Sequence, residues 1–178
     1  FEWVQLNMAT SIWPEEKPSA SAAVEIVFGQ GKWESRLGTR LTQDQVFPVC
    51  SPELASRIHS VQDLSRERLI DLSGTLQSWD SWFDAQPERG AVVPAVVHRA
   101  STWAVNLEWA LEGLGVALAH DTVASHLIRS GRLVRPLPFA LPMKEAYYLI
   151  SPQGGPPNAA AEAFRSWVLR EMAVVVAT

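Results

Sequence analysis

Short apolar runs alternate along the chain with stretches whose apolar residues recur every third or fourth position. The short runs fall at residues 3–8, 22–28, 46–50, 69–72, 95–99, 115–119, 132–137 and 145–151, and most are continuously apolar. Such runs mark strands covered on both faces, as in a mostly parallel sheet sandwiched by helices. The helical stretches carry readable start and stop signals. Ser51-Pro52-Glu53 offers an N-cap, a proline at the first helical position and a carboxylate at the positive dipole end, opening a helix towards Ile58. Ser78 caps a helix in which Trp79, Trp82, Phe83 and Gln86 fall at helical spacing. From Thr102, the residues Trp103, Leu107 and Leu111 recur every fourth position up to Gly113, which suits the left-handed C′ conformation. Asp121 caps a helix over 122–130 that Gly131 stops, and Asn158 caps a last one with Phe164, Trp167, Val168 and Met172 on one stripe. The strand-helix rhythm through residues 95–137 predicts βαβ units with right-handed crossovers, and hence an α/β fold.

Two breaker clusters divide this pattern. Pro48 to Pro52 is one, and the other is 151–157, where Gly154, Gly155, Pro156 and Pro157 stand together. With hinges at both, residues 1–52 and 152–178 form a first lobe and residues 53–151 an inserted second lobe, the arrangement of bilobed small-molecule binding domains.

Composition narrows the class without changing the picture. The chain has 178 residues, 47% apolar and 19% charged, enough to bury a core without disulfide staples. Disorder and collagen are excluded. Cys50 is the single cysteine, no segment resembles a signal peptide, and no apolar run reaches the roughly 20 residues of a membrane span, so a reducing cytoplasm is expected. A formal net charge of −4 argues against a phosphate-gripping surface in this segment.

Catalytic motifs fail one by one. Leu72-Ser73-Gly74 lacks the first glycine of a nucleophile elbow, and Gly29-Gln30-Gly31 leads to Glu34 where a dinucleotide fingerprint needs a third glycine. His59, His98, His120 and His126 show no ligand spacing and read as surface or partly buried structural residues. Cys50 follows a strand and precedes a helix start, a position that can lower a thiol pKa, but it reads first as a lone small buried residue. No enzyme chemistry and no cofactor or metal site is expected.

Tryptophan stands out, with eight in the chain. Several lie on helical stripes and read as core. Trp13 and Trp33 instead follow strands in polar or glycine-rich connections, where ligand-binding groups of open α/β sheets accumulate. Each either faces a ligand or covers the flank of a lobe. Ser101, Thr102 and Trp103 follow a strand and open a helix, where hydroxyls and free N–H groups hold an anion or simply cap the helix.

The run from Ala23 to Trp33 (AVEIVFGQGKW) followed by Val46-Phe47-Pro48-Val49-Cys50-Ser51-Pro52 resembles the effector-binding domain of LysR-type transcriptional regulators, in the subgroup with the glycine cleavage and β-lactamase regulators. Asp63-Leu64, the Trp79 to Phe83 segment, Ala110-Leu111-Glu112-Gly113-Leu114-Gly115-Val116-Ala117-Leu118, Gly131-Arg132-Leu133-Val134, Tyr147-Tyr148-Leu149 and Phe164-Arg165-Ser166-Trp167 match in the same order. The resemblance implies two Rossmann-like lobes of the periplasmic-binding-protein type with a small-molecule cleft between them, in a cytoplasmic bacterial regulator. It implies effector contacts from Thr10, Ser11, Trp13 and Trp33 in the first lobe. From the second lobe it implies Ser101, Thr102 and Trp103, with a tyrosine of the returning strand, Tyr147 or Tyr148. Alternation sends those two rings to opposite faces, so one of them reaches the ligand.

The pattern departs from the family in two ways. The winged helix-turn-helix is not in this sequence, so DNA is a partner only through that further domain. The first strand and helix of the first lobe are missing as well, and Ala22-Ala23 stands where an acidic pair is usual. Apolar strands left uncovered in this way predict homo-oligomerisation, strand exchange or aggregation. The rival function is a solute-binding protein of a transport system, and an enzyme on the same fold ranks third.

Overall fold

A computed structural model describes residues 3, 5–10, 22–33, 38–87, 96–150 and 158–176, the last helix's side chains through 172. The chain divides into two units, Phe1–Gln43 with Lys144–Thr178 and Asp44–Met143. The division falls ahead of both breaker clusters, because the strand before Pro52 pairs inside the second unit and the strand before residue 151 pairs inside the first.

Unit 1 holds β1 (Glu25–Gly29), β2 (Gly38–Arg40) and β8 (Ala146–Ile150) in the order β1-β8-β2, with helix α5 (Ala159–Val176). Both pairings are antiparallel, with Val27 and Arg40 each opposite Tyr148. Leu41, Leu149 and Val168 are buried here, and Val24, Tyr147, Phe164, Leu169 and Met172 pack against them. The Asn158 side chain caps α5 by accepting the Ala161 N–H at 3.1 Å, the cap the sequence implied.

Unit 2 is built on a sheet of five strands. They are β3 (Gln45–Val49), β4 (Arg68–Leu72), β5 (Val96–Ala100), β6 (Val116–His120) and β7 (Leu141–Pro142), arranged β5-β4-β6-β3-β7. β4 runs parallel to β5 and β6, while β3 is antiparallel to β6 and β7. The sheet is therefore mixed, and the mostly parallel sheet expected from the apolar runs is corrected to that extent. Helices α1 (Pro52–Ala55), α2 (Trp79–Asp84), α3 (Trp103–Leu111) and α4 (Asp121–Arg129) connect the strands, with a 3-10 turn at Val61–Arg66. Phe47, Val49, Ile70, Leu107, Ala117, Ala119, Leu127 and Leu133 form one buried cluster between sheet and helices. β6 is buried at all five positions, in line with its apolar run. Gly113 takes φ 69° directly after α3, the left-handed turn its position predicted.

Several expectations are corrected. Residues 5–10 form no strand and pair with none among the described residues; Leu6 and Met8 are 57% and 80% exposed. An apolar run without a partner ladder has nowhere to place its backbone hydrogen bonds. Residues 132–137 make only an isolated bridge, Val134 to Cys50, since Pro136 and Pro138 have no N–H to give a ladder. The helix opened by Ser51 closes at Ala55 rather than reaching Ile58. His120, not Asp121, is the N-cap of α4.

Candidate functional site

In unit 2 the candidate residues stand at the start of α3, and the residues before it explain why the helix begins there. Thr102 has extended backbone (φ −138°, ψ 152°), and its Oγ1 accepts the Val105 N–H at 3.3 Å. Ser101 is exposed beside it, and Thr102 and Trp103 are half-buried. That leaves the N–H groups of the first helical residues and two hydroxyls at one helix end, a setting suited to a carboxylate or another anion.

Buried polar groups hold this helix start in place. The Asn106 side chain, fully buried, donates to the Leu118 carbonyl at 2.7 Å and ties α3 to β6. The Trp103 ring meets the His120 imidazole edge to face, centroids 4.6 Å apart at 81°. His120 has no exposed surface, and its Nδ1 lies 3.1 Å from Asp44 Oδ2. Asp44 in turn accepts the Thr122 hydroxyl at 2.8 Å and the Thr122 N–H at 3.1 Å, so it caps α4 from 78 residues upstream. Burial pushes the Asp44 carboxyl up, but the hydrogen bond and charge of His120 and the two bonds from Thr122 outweigh it and hold the group below its ordinary range.

In unit 1 the alternation of β8 separates the two tyrosines. Tyr147 turns into the core, 5.0 Å from the Phe28 ring, and its N–H donates to Thr42 Oγ1 at 3.1 Å. Tyr148 takes the other face, where it meets Trp33 at 5.1 Å and 78°. Gly31 lies under this pair at φ 78°, and a Cβ built there would stand 2.7 Å from Tyr148 Oη. A side chain would displace the tyrosine, so the glycine is what lets the ring lie on the loop.

The structure thus groups Trp33 with Tyr148, and Ser101 with Thr102 and Trp103. Tyr147 packs against the core of unit 1, while Tyr148 lies on the opposite face of β8. Thr10 is exposed in irregular chain, and Ser11 and Trp13 lie outside the described residues. Sequence reading missed Asp44, Asn106 and the role of His120; a polar residue closing an otherwise apolar strand, as His120 closes 116–119, was the available signal. It read Cys50 first as a small buried residue. The thiol is buried, and burial followed by the nearby Glu67 charge pushes it up to about 12, which settles the small-buried-residue reading.

Residues 24–173 match the model of the LysR substrate binding domain. Similar proteins include an HTH-type transcriptional regulator of Sinorhizobium fredii, 33% identical over 83% of this chain and 50% of its own length. The glycine cleavage system transcriptional activator of Escherichia coli is 29% identical over 89% of this chain and 52% of its own length. The chain spans about half the length of the curated relatives it matches. Among solved structures, the effector domain of the transcriptional regulator AmpR of Pseudomonas aeruginosa has a TM-score of 0.72 at 30% identity, covering 85% of this chain and 73% of that one. The Citrobacter freundii effector binding domain with threonine-to-valine, serine-to-alanine and tyrosine-to-phenylalanine substitutions has a TM-score of 0.74 at 25% identity, covering 84% of this chain and 75% of that one.

Proposed function

The chain belongs to the LysR substrate-binding domain family, and we propose that it is the sensing part of a bacterial transcriptional regulator, binding a small polar effector and thereby controlling DNA binding by the full-length protein. The observation that carries the site is the α3 start: hydroxyls of Ser101 and Thr102 and free helix N–H groups beside the Trp103 ring. Within unit 2 these supply the few placed polar groups and the apolar wall that small-molecule sites use, and Trp33 with Tyr148 forms a separate candidate surface in unit 1. The effector is anionic or zwitterionic, since the N–H groups of the helix start donate and the Ser101 hydroxyl can donate beside them.

DNA is reached through another part of the full-length regulator, in the cytoplasm. Among the described residues no helix is long and apolar enough to cross a membrane. A transport solute-binding protein is the weaker reading, because the relatives and structures above are described as transcriptional regulators or their effector domains. Self-association is expected as well, with Ile26 of β1 50% exposed and Trp167 of α5 43% exposed. Light scattering at micromolar concentration checks it.

Titration with amino acids, dicarboxylates and cell-wall peptides, followed by tryptophan fluorescence, tests the reading. Thr102→Ala should weaken the responding compound well beyond twofold, which corresponds to about 0.4 kcal/mol. A bound compound whose affinity stays within twofold in that variant would place the site elsewhere.

A further inference from the structure

We propose that Asp44 and His120 are positioning residues for Trp103, passing the geometry of the segment where the chain enters unit 2 to the helix start that binds effector. The proposal deepens the functional reading above and rests on Trp103 belonging to that site.

Asp44 is the first residue of unit 2 and Met143 the last, and the two are joined directly: the Met143 N–H donates to the Asp44 carbonyl at 3.0 Å. One residue therefore touches both places where the chain crosses the unit boundary. Its carboxylate reaches His120 at 3.1 Å and Thr122 at 2.8 Å, and the next residue, Gln45, donates its N–H to Asp121 Oδ2 at 2.8 Å. The crossing segment is thus fastened to the start of α4 from both sides.

From there the path to the site is one ring. His120 is wholly buried and Asp44 is 6% exposed, so water does not stand in for either when the other moves. The imidazole is held at Nδ1 and lies edge to face with Trp103. Interiors are close-packed, so a displaced carboxylate turns the imidazole, and the turned imidazole shifts the half-buried indole packed against it. Asn106 anchors the next turn of α3 to the Leu118 carbonyl, which confines the response to the first turn.

The test needs no effector. The chain is labelled with 5-fluorotryptophan, and Trp103→Phe identifies the Trp103 resonance among the eight. Asp44→Asn keeps the side-chain volume and should shift that resonance while leaving those of Trp79 and Trp82 in place. Asp121→Asn weakens the same crossing segment while leaving the Asp44–His120 pair in place, and should leave Trp103 unmoved. An unmoved Trp103 in Asp44→Asn, or an equal shift in Asp121→Asn, overturns the proposal. If Asp44→Asn does not fold, Thr122→Val carries the test: it removes one hydroxyl from the carboxylate, and a Trp103 signal that stays put overturns the relay. Failure here leaves the effector titration standing, and failure of the titration leaves this result standing.

Discussion

The Trp79 indole N–H donates to the Ile70 carbonyl at 2.9 Å inside unit 2, so a buried aromatic of α2 reads the backbone of β4 directly. Trp79 and Trp82 are 2% and 0% exposed and meet at 5.6 Å in an edge-on pair. Trp79→Phe keeps most of the apolar contact and removes the donor. It should lower unfolding stability by about 1–3 kcal/mol, measured by denaturant titration, with part of the loss coming from the smaller ring.

The Asp44 carboxyl supplies a pH-dependent contribution of known sign. Its folded-state pKa lies below the ordinary 3.8, so the stabilisation is fully present above that value and is lost as pH falls through the lower folded value. Asp44→Asn should therefore destabilise the chain at neutral pH and flatten the acid limb of its stability curve. Equal slopes below about pH 4 for variant and parent would contradict the assignment.

Gly31 and Gly113 both have positive φ, 78° and 69°, but differ in surroundings. At Gly113 a Cβ would touch only Ser51 Oγ at 3.4 Å, whereas at Gly31 it would strike the Tyr148 ring and hydroxyl at 2.7 Å. Gly113→Ala should lose about 1–2 kcal/mol from backbone strain alone. Gly31→Ala should lose more, and near-ultraviolet circular dichroism should report the displaced Tyr148–Trp33 pair.

Cys50 should be inert in the folded chain. Its thiol is fully buried and pushed up to about 12, so a thiol reagent at about pH 8 should label it only after unfolding, in a single addition. Rapid labelling of the native chain would contradict its burial.

Much of this was legible because the signals were local. Thr102 caps α3, Gly113 ends it and Asn158 caps α5, since caps and C′ glycines act over three or four residues. The split of Tyr147 from Tyr148 followed from the period of a strand. Long-range partners were not legible. Nothing around Asp44 announces Thr122, and nothing around His120 announces Asp44, because the fold alone brings them together. Residues 3–8 misled for the same reason: apolar content says that a run suits a strand, not that a neighbouring strand exists to pair with it; in 132–137, Pro136 was a local signal against a ladder.

The place of β8 has a consequence for synthesis of the chain. It is the middle strand of β1-β8-β2, yet it is made after the whole of Asp44–Met143. As the chain leaves the ribosome, unit 2 is continuous and can fold as soon as it emerges, while β1 and β2 have no central strand to pair with until the last fifth or so of the chain appears. Closing that sheet joins residues far apart in sequence, the slow kind of contact. Pulse-labelled hydrogen exchange during refolding should therefore protect the amides of β4 and β6 before those of β1.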